Sequence, residues 1–141
     1  MPLRPAKCFR NLERPYTRIS YKVKNKNFIP GAPETKIREF EMGNKNLLNN
    51  YEIKVMLIAK NNLQIRDNAI EAARVMINKY LEKNVGKENY FFIIKKYPHH
   101  VLREHPIATG AGADRYSQGM RLAFGRPIGR AIRVLKDDII F

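Results

Sequence analysis

The stretch at residues 97–133 is the feature that most restricts how this chain can fold. Three prolines and five glycines interrupt it, so no long helix can run through it. It also holds six arginines against two acidic residues. Glycine lets a backbone approach another surface closely, and arginine presents a planar fork of donors that matches phosphate oxygens and stacks on bases. We interpret the stretch as a loop that lies against RNA, anchored by two short apolar clusters, Val101–Leu102 and Leu122–Phe124.

Length and composition limit the class of protein. A chain of 141 residues suits one domain, and a hydrophobic content of 44% predicts that it folds. The net charge of +14 costs self-repulsion that a polyanion would remove, which favours a nucleic-acid partner. No run approaches the roughly 18 apolar residues of a membrane-spanning helix, and the N-terminus has no apolar signal-peptide core. The single Cys8 excludes an internal disulfide and fits a reducing, intracellular setting.

The positive charge is concentrated in two segments. Residues 1–26 and residues 95–136 each carry +7, whereas residues 27–94 carry only +2. Prolines and interleaved aromatic residues in residues 1–27 predict an extended basic arm, with a disordered tail as the alternative. We predict that RNA contact falls on cations of both segments: Arg4, Lys7, Arg10, Arg14, Arg18, Lys22, Arg115, Arg121, Arg126 and Arg130.

Hydrophobic periodicity predicts the regular elements between these segments. Residues 66–83 read as the best helix, with Asp67 or Asn68 at its start and Gly86 closing its end. The predicted core-facing stripe of this helix is Ala69, Ile70, Ala73, Met76, Ile77, Tyr80 and Leu81. Strong alternation makes residues 51–59 the clearest strand. Further strands are predicted at residues 36–42, 90–96 and 130–135, with a last apolar run at residues 138–141.

Catalytic and metal-binding chemistry finds little support in the residues. His99, His100 and His105 invite a metal site, but adjacent histidines on a strand point to opposite faces and no thiolate or carboxylate pair accompanies them. Residues 110–114 resemble part of a phosphate-binding glycine loop but lack its Gly-Lys-Ser/Thr ending. Ser117 has no accompanying His/Asp pattern. We therefore expect no catalytic residue, no metal and no cofactor.

Several stretches are recognisable as a set. They are MPLRPAKCFR with RPYTR, GAPETKIREFEMGN, IRDNAIEAARVMINKYLEK, YPHHVLRE and AGADRYSQGMRLAFGRPIGRAIRV. Together they cover essentially the whole chain, and the AGADR motif followed by GMR-x-AFG-x-P-x-G is highly specific. The chain resembles the universal large-subunit ribosomal protein family called L sixteen in bacteria, in its archaeal and eukaryotic ten-e branch (the QM protein of animals). The PHHVLRE variant and the lysine- and isoleucine-rich composition favour an archaeal member.

The resemblance implies an α+β fold, a compact sandwich or barrel-like sheet with helices packed on one side. Its parts would be the arm at residues 1–27, a core at 28–101, an internal loop at 102–114, and a basic loop with C-terminal strands at 115–141. The family continues beyond this point into a further strand and helix, so we expect the chain to be C-terminally truncated.

The implied role is structural and not enzymatic, in the large ribosomal subunit of the cytoplasm. Implied partners are the large rRNA, 5S rRNA, neighbouring ribosomal proteins and the acceptor end of tRNA, without a membrane and without homo-oligomers. The family's loop near the aminoacyl-tRNA site corresponds here to Leu102, Arg103, His105, Gly110, Gly112 and Asp114. The alternative is a non-ribosomal RNA- or DNA-binding regulator, which co-sedimentation with ribosomes would distinguish.

Overall fold

The structure is a computed structural model. It describes residues 3–19, 22–23, 29–105, 107 and 111–141, except for the side chain of Asp114. The longer regular elements are one helix and two small antiparallel sheets, so the predicted α+β class is confirmed. In chain order they are β1 (Glu41–Gly43), β2 (Leu63–Arg66), α1 (Asp67–Asn84), β3 (Phe91–Ile93), β4 (His100–Glu104), α2 (Ala113–Tyr116) and β5 (Arg126–Val134). Two 3₁₀ helices lie at Ala6–Phe9 and Lys45–Asn50.

The larger sheet has the order β2-β5-β4, and every neighbouring pair is antiparallel. Ile132 of β5 faces Ile65 of β2, and Ala131 faces His100 of β4. The register between β4 and β5 shifts between Leu102 and Arg103, where the ladder becomes irregular. The smaller sheet pairs β1 with β3, with Met42 opposite Phe92. Because β5 is the central strand, β2 and β4 are the two edges of this sheet, and the arm hydrogen-bonds to both.

Helix α1 confirms the prediction for residues 66–83 to within one residue at each end. It ends as expected, because Gly86 has φ +89° and its N–H donates to the Leu81 carbonyl. Its start differs, because the Asp67 carboxylate accepts from the backbone N–H of Asn68 (2.8 Å) and of Lys36 (3.0 Å). Asp67 therefore fixes the segment before β1 as well as the first helical turn. No helix among the described residues is both long and apolar enough to span a bilayer.

The predicted core-facing stripe of α1 is partly wrong. Ile70 is buried and Ile77 packs partly against the core, but Met76 and Tyr80 are 74% and 68% exposed. At 3.6 residues per turn, these two side chains lie about 80° or more around the helix from Ile70. Arg74 lies closer to that direction and is buried, with Glu71 as its ion-pair partner at 2.7 Å. The Arg74 hydrogen bond lowers the pKa of Glu71.

The predicted strand at residues 51–59 does not form. Ile53 and Val55 are 82% and 87% exposed, and only Ala59 is buried. Within the described residues, this stretch pairs only at its end, where the Leu57 N–H donates to the Phe141 carbonyl and the Ala59 N–H to that of Asp138. Alternation supplies a strand's side-chain pattern, but a ladder also needs a neighbouring backbone, and here residues 51–56 have none.

The other strand predictions hold with changed bounds. Only the end of residues 36–42 is β structure, as β1, and only the middle of residues 90–96, as β3. The strand predicted at 130–135 begins four residues earlier, as β5. The last apolar run does not form a strand, but Ile139 bridges to Ile58, and the buried Ile140 accepts from the Lys95 N–H.

Among the residues that the structure describes, buried apolar side chains form three clusters. The largest joins α1, β5 and the C-terminal run through Ile37, Ala59, Ile70, Ile94, Ile132, Val134 and Ile140. A second, of Met42, Tyr90 and Phe92, lies under the smaller sheet. The third, of Ile29, Ala32 and Val101, receives Tyr16 of the arm. This last group connects the basic arm to the larger sheet.

Candidate nucleic-acid interface

Gln64, a buried residue of the edge strand β2, holds the middle of the arm (residues 3–19) against that strand. Gln64 of β2 donates from its side-chain amide to the Phe9 carbonyl (3.2 Å) and accepts from the Glu13 N–H (3.3 Å). The Gln64 backbone N–H also donates to the Arg10 carbonyl (2.9 Å). Because buried polar groups need hydrogen-bond partners, the Gln64 amide fixes the arm backbone that supplies them. The arm therefore follows the sheet, while the side chains of Arg4, Lys7, Arg10 and Arg14 stay exposed.

The arm continues along β4 through backbone contacts. The Tyr16 carbonyl accepts from the Val101 N–H (2.7 Å), and the Tyr16 N–H donates to Nδ1 of His100 (3.1 Å). Arg133 of β5 donates from Nε to the Glu13 carbonyl (2.9 Å). These bonds hold the described part of the arm against β4 and β5.

His100 is a buried structural histidine. Its Nδ1 accepts a hydrogen bond, so the proton of the neutral ring lies on Nε2, which is 3.6 Å from the Glu13 carboxylate. Burial lowers the pKa of His100, and the nearby Glu13 partly opposes that shift. The side chain therefore serves the arm contact as a neutral hydrogen-bond acceptor.

Arg103 joins the two basic segments of the chain. Its guanidinium carbon lies 4.5 Å from the ring centre of Tyr16 in the arm and 4.2 Å from that of Phe124. The two rings meet edge to face at 5.4 Å. Phe124 belongs to the basic loop, which we define as residues 111–125. A cation that contacts two aromatic rings at once is attracted to both, and this contact places the arm and the basic loop side by side.

Further contacts close the same region around the end of β4. Glu104 pairs with Arg4 of the arm, and the His105 ring is 3.0 Å from the Gly119 carbonyl of the basic loop. Gly125 has φ +79° and approaches the Glu104 backbone so closely that an added Cβ would lie 2.6 Å from its carbonyl. Glycine at this position lets the basic loop enter β5 directly beside β4.

The cations predicted to contact RNA lie mostly on the surface of these two segments. Lys7, Arg10, Arg14, Arg115, Arg121 and Arg126 are exposed and have no acidic partner within 4.0 Å among the described residues. Lys22 is also exposed, whereas Arg18 and Arg130 are partly buried. Arg4 is exposed and is paired with Glu104. The structure thus leaves a set of uncompensated positive charges on adjoining segments.

The residues predicted for the tRNA-site loop have several different environments. Leu102 is buried in β4, and Arg103, also in β4, is the cation between the rings. Gly112 has φ +78° and precedes α2, which contains Asp114. Gly110 lies outside the described residues. Because β4 reaches Glu104, the segment between regular elements begins at His105 and not at Leu102.

The alternative chemical sites are not assembled. Among the described residues, no group of three His, Cys, Asp or Glu side chains is placed to hold a metal ion. His99 is exposed, whereas His100 is buried. Ser117 donates its hydroxyl to the Ala113 carbonyl (2.7 Å), which is a local helix-end bond.

Sequence reasoning did not identify several residues that shape the interface. Gln64 and Glu13 hold the arm, but a single polar residue in a strand carries no pattern that reveals such a partner. Phe124 was noted only as an apolar anchor, and it is 62% exposed while contacting Arg103. The other proposed anchor, Val101–Leu102, is buried as predicted. Aromatic residues beside arginines were the available signal, but their pairing needed the fold.

Comparison with known proteins identifies the type of molecule that presents this surface. The sequence model described as ribosomal protein L16p/L10e matches residues 16–141. The chain belongs to this family.

Archaeal proteins with the name large ribosomal subunit protein uL16 are among the relatives of this chain. The protein of Nanoarchaeum equitans is 57% identical over 140 residues, covering 96% of this chain and 74% of that protein. That of Archaeoglobus fulgidus is 52% identical, covering 95% of this chain and 72% of that protein. That of Staphylothermus marinus is 51% identical, covering 99% and 76%. The predicted family and its archaeal character are confirmed.

Membership in the family settles the class of function. The chain is a ribosomal protein with a structural role in translation and is not an enzyme, as predicted. Its predicted location, with the ribosome in the cytoplasm, is confirmed for the same reason. Ribosomal proteins have rRNA and neighbouring ribosomal proteins as partners, and the exposed cations described above are suited to the former.

Proposed function

We propose that this chain is a constituent of the large ribosomal subunit that binds the large rRNA through its arm and basic loop together. It lies near 5S rRNA, and the segment after β4 helps to organise the aminoacyl-tRNA site. The 5S and tRNA contacts rest on the family resemblance. The rRNA contact rests also on the geometry of the chain.

One observation carries the proposal: Arg103 lies between Tyr16 and Phe124 and so joins two segments that each carry +7. Two separate basic tails would each bind RNA weakly and without a fixed relation. Side by side, the two segments form one cationic surface. Its like charges repel one another, and a bound polyanion removes this repulsion.

The chemistry of the exposed side chains agrees with rRNA as the partner. Arginine binds phosphate with paired hydrogen bonds, and phosphate contacts position a protein without reading sequence. A ribosomal protein needs a fixed orientation on a folded RNA, which such contacts supply. Residues 27–94 carry a net charge of only +2, so the positive charge of the chain is concentrated in the two segments that form this surface.

Sedimentation of cell extract tests the proposal. We expect the protein to travel with the large ribosomal subunit and to leave it only at high salt, because counterion release weakens phosphate contacts. Presence at the top of the gradient in low salt would contradict the proposal and favour a regulator that acts outside the ribosome.

A further inference from the structure

A small pocket lies where the arm crosses the larger sheet. Its lining residues are Thr17, Arg18 and Ile19 of the arm, Tyr97 and His99 before β4, and Arg130 of β5. We call it the Arg18–Arg130 pocket. Its volume is about 200 Å³, below the roughly 300 Å³ at which drug-sized sites begin, so it suits one ring or one phosphate group. None of these lining residues is acidic.

The two arginines of this pocket have N–H donors that make no hydrogen bond within the described residues. Arg130 donates from Nε to the Pro33 carbonyl (2.7 Å), which fixes its side chain, and its terminal nitrogens make no hydrogen bond within the described residues. Nε of Arg18 is shielded from water and has no acceptor there. A ligand oxygen cannot reach this shielded atom any more than water can, so the terminal nitrogens of the two guanidinium groups are the donors that an anion can use.

Aromatic rings form the other wall of the pocket. Tyr97 is 41% exposed, stacks on Phe40 with ring centres 5.1 Å apart, and meets the His99 ring at 4.7 Å. Phe40 thus supports Tyr97 from behind and holds the wall in place. Flat rings beside guanidinium groups are the usual surroundings of an unpaired nucleotide, whose base stacks while its phosphate is held by arginine.

We propose that the Arg18–Arg130 pocket binds one unpaired nucleotide of RNA. Its phosphate lies between the two arginines, and its base lies against the Tyr97–His99 wall. A free phosphate would use the arginines and leave the aromatic wall unused, so a nucleotide accounts for more of the pocket. The inference rests on the proposed function, because it names the kind of RNA element that this part of the interface receives.

Binding of the full chain to three RNA hairpins tests this site. One hairpin carries a single unpaired 2-aminopurine, the second has an abasic ribose at that position, and the third is fully paired. We expect the first to bind about tenfold more tightly than the others, the size expected for stacking one base, with quenched 2-aminopurine fluorescence. Arg18→Gln and His99→Ala should each reduce that preference to near unity.

Arg14→Ala is the matched control, because Arg14 is an exposed arm cation outside the pocket. It should weaken binding to all three hairpins equally and leave the preference intact. Circular dichroism of each variant checks the fold, and His99→Ala, at an exposed side chain, remains informative if Arg18→Gln fails to fold.

Three results would overturn the inference while the proposed function stands, provided that the protein still sediments with the large subunit. They are equal affinity for all hairpins, equal affinity for the unpaired and abasic hairpins, and a preference that survives both pocket variants. Absence of binding to every hairpin together with absence from the large subunit would overturn both.

Discussion

The guanidinium of Arg103 lies against the ring of Phe124, with 4.2 Å between the guanidinium carbon and the ring centre. These residues are 21 positions apart, since Arg103 lies in β4 and Phe124 lies near the end of the segment that joins β4 to β5. Their contact folds the basic loop back onto the end of β4, where the ring of Tyr16 from the arm contacts the same cation and meets Phe124 edge to face.

Replacing Arg103 with alanine should loosen the arm. Two cation–π contacts disappear, each worth about 0.5–1 kcal/mol where partly exposed, so we expect a total loss of about 1–2 kcal/mol in unfolding free energy. Urea denaturation measures that loss, and limited trypsin digestion should show faster cleavage after Arg18. Arg121→Ala, at an exposed arginine of the basic loop, is the control and should change neither measurement. An unchanged cleavage rate in Arg103→Ala would show that other contacts hold the arm.

Replacing both Arg121 and Arg126 with alanine should flatten the salt dependence of rRNA binding. Each phosphate contact contributes about −0.7 to −0.9 to the slope of log affinity against log salt, so two lost contacts should reduce its magnitude by about 1.5. Filter binding across a salt series measures the slope. The control is the pair Lys79→Ala and Lys83→Ala on the exposed side of α1, outside the two basic segments. Equal slopes for both double variants would refute the assignment of Arg121 and Arg126.

Replacing residues 106–111 with a short glycine-serine linker should separate attachment from function at the tRNA site. The residues that hold the arm and the basic loop, including Arg103 and His105, stay in place. We therefore expect normal association with the large subunit and slower entry of aminoacyl-tRNA, measured by rapid kinetics on reconstituted ribosomes. Loss of subunit association would show that this segment serves attachment instead.

Gly125→Ala should destabilise the junction between the basic loop and β5. Alanine at φ +79° costs about 1–2 kcal/mol by itself, and its Cβ would meet the Glu104 carbonyl at 2.6 Å. The matched control is Gly129→Ala, because nothing lies within 4 Å of an added Cβ there and its backbone is not left-handed. Chemical denaturation should show a loss above 1 kcal/mol for the first variant and little change for the second. Similar stabilities would contradict the close approach.

Acidification should weaken the fold through His100. Burial holds the pKa of His100 below its usual value near 6.5. Below pH 6.5, His100 therefore takes up a proton more readily in the unfolded chain than in the folded chain. Stability is then fully present above about pH 6.5 and falls as the pH drops toward the folded-state pKa, by about 1.4 kcal/mol per unit of pKa difference.

The variant His100→Asn isolates this effect. Its amide oxygen can still accept from the Tyr16 N–H, but it does not titrate. Thermal unfolding between pH 7 and pH 5 should show a smaller loss of stability for the variant than for the parent protein. Parallel pH profiles would mean that other groups cause the dependence.

Several features could be predicted because they depend on neighbours in sequence. Helix α1 follows from side chains spaced three and four apart, and its end follows from Gly86, which tolerates a left-handed backbone. The two basic segments follow from composition alone, and with them the expectation of an RNA partner. The specific motifs of residues 111–134 were enough to recognise the family.

Other features depended on contacts between distant residues. Residues 51–59 have a strand's alternation, but along most of their length they have no backbone partner within the part of the chain that the structure describes, so the pattern alone was misleading. Met76 and Tyr80 were assigned to the core because the predicted stripe was wider than the side of α1 that packs. Leu102 was assigned to a loop, although its pairing with Gly129 makes it part of β4.

The sequence by itself determined the charge of the two basic segments, the long helix α1 and the ribosomal family, because each of these follows from a local pattern or motif. Only the tertiary structure decided which cations remain free, which are held between rings, and which line a pocket. Arg18 and Arg130 are 112 positions apart, and no local pattern can reveal that β5 brings them to one pocket. The physical reason is that charge is a property of each residue, whereas its compensation depends on what the fold places beside it.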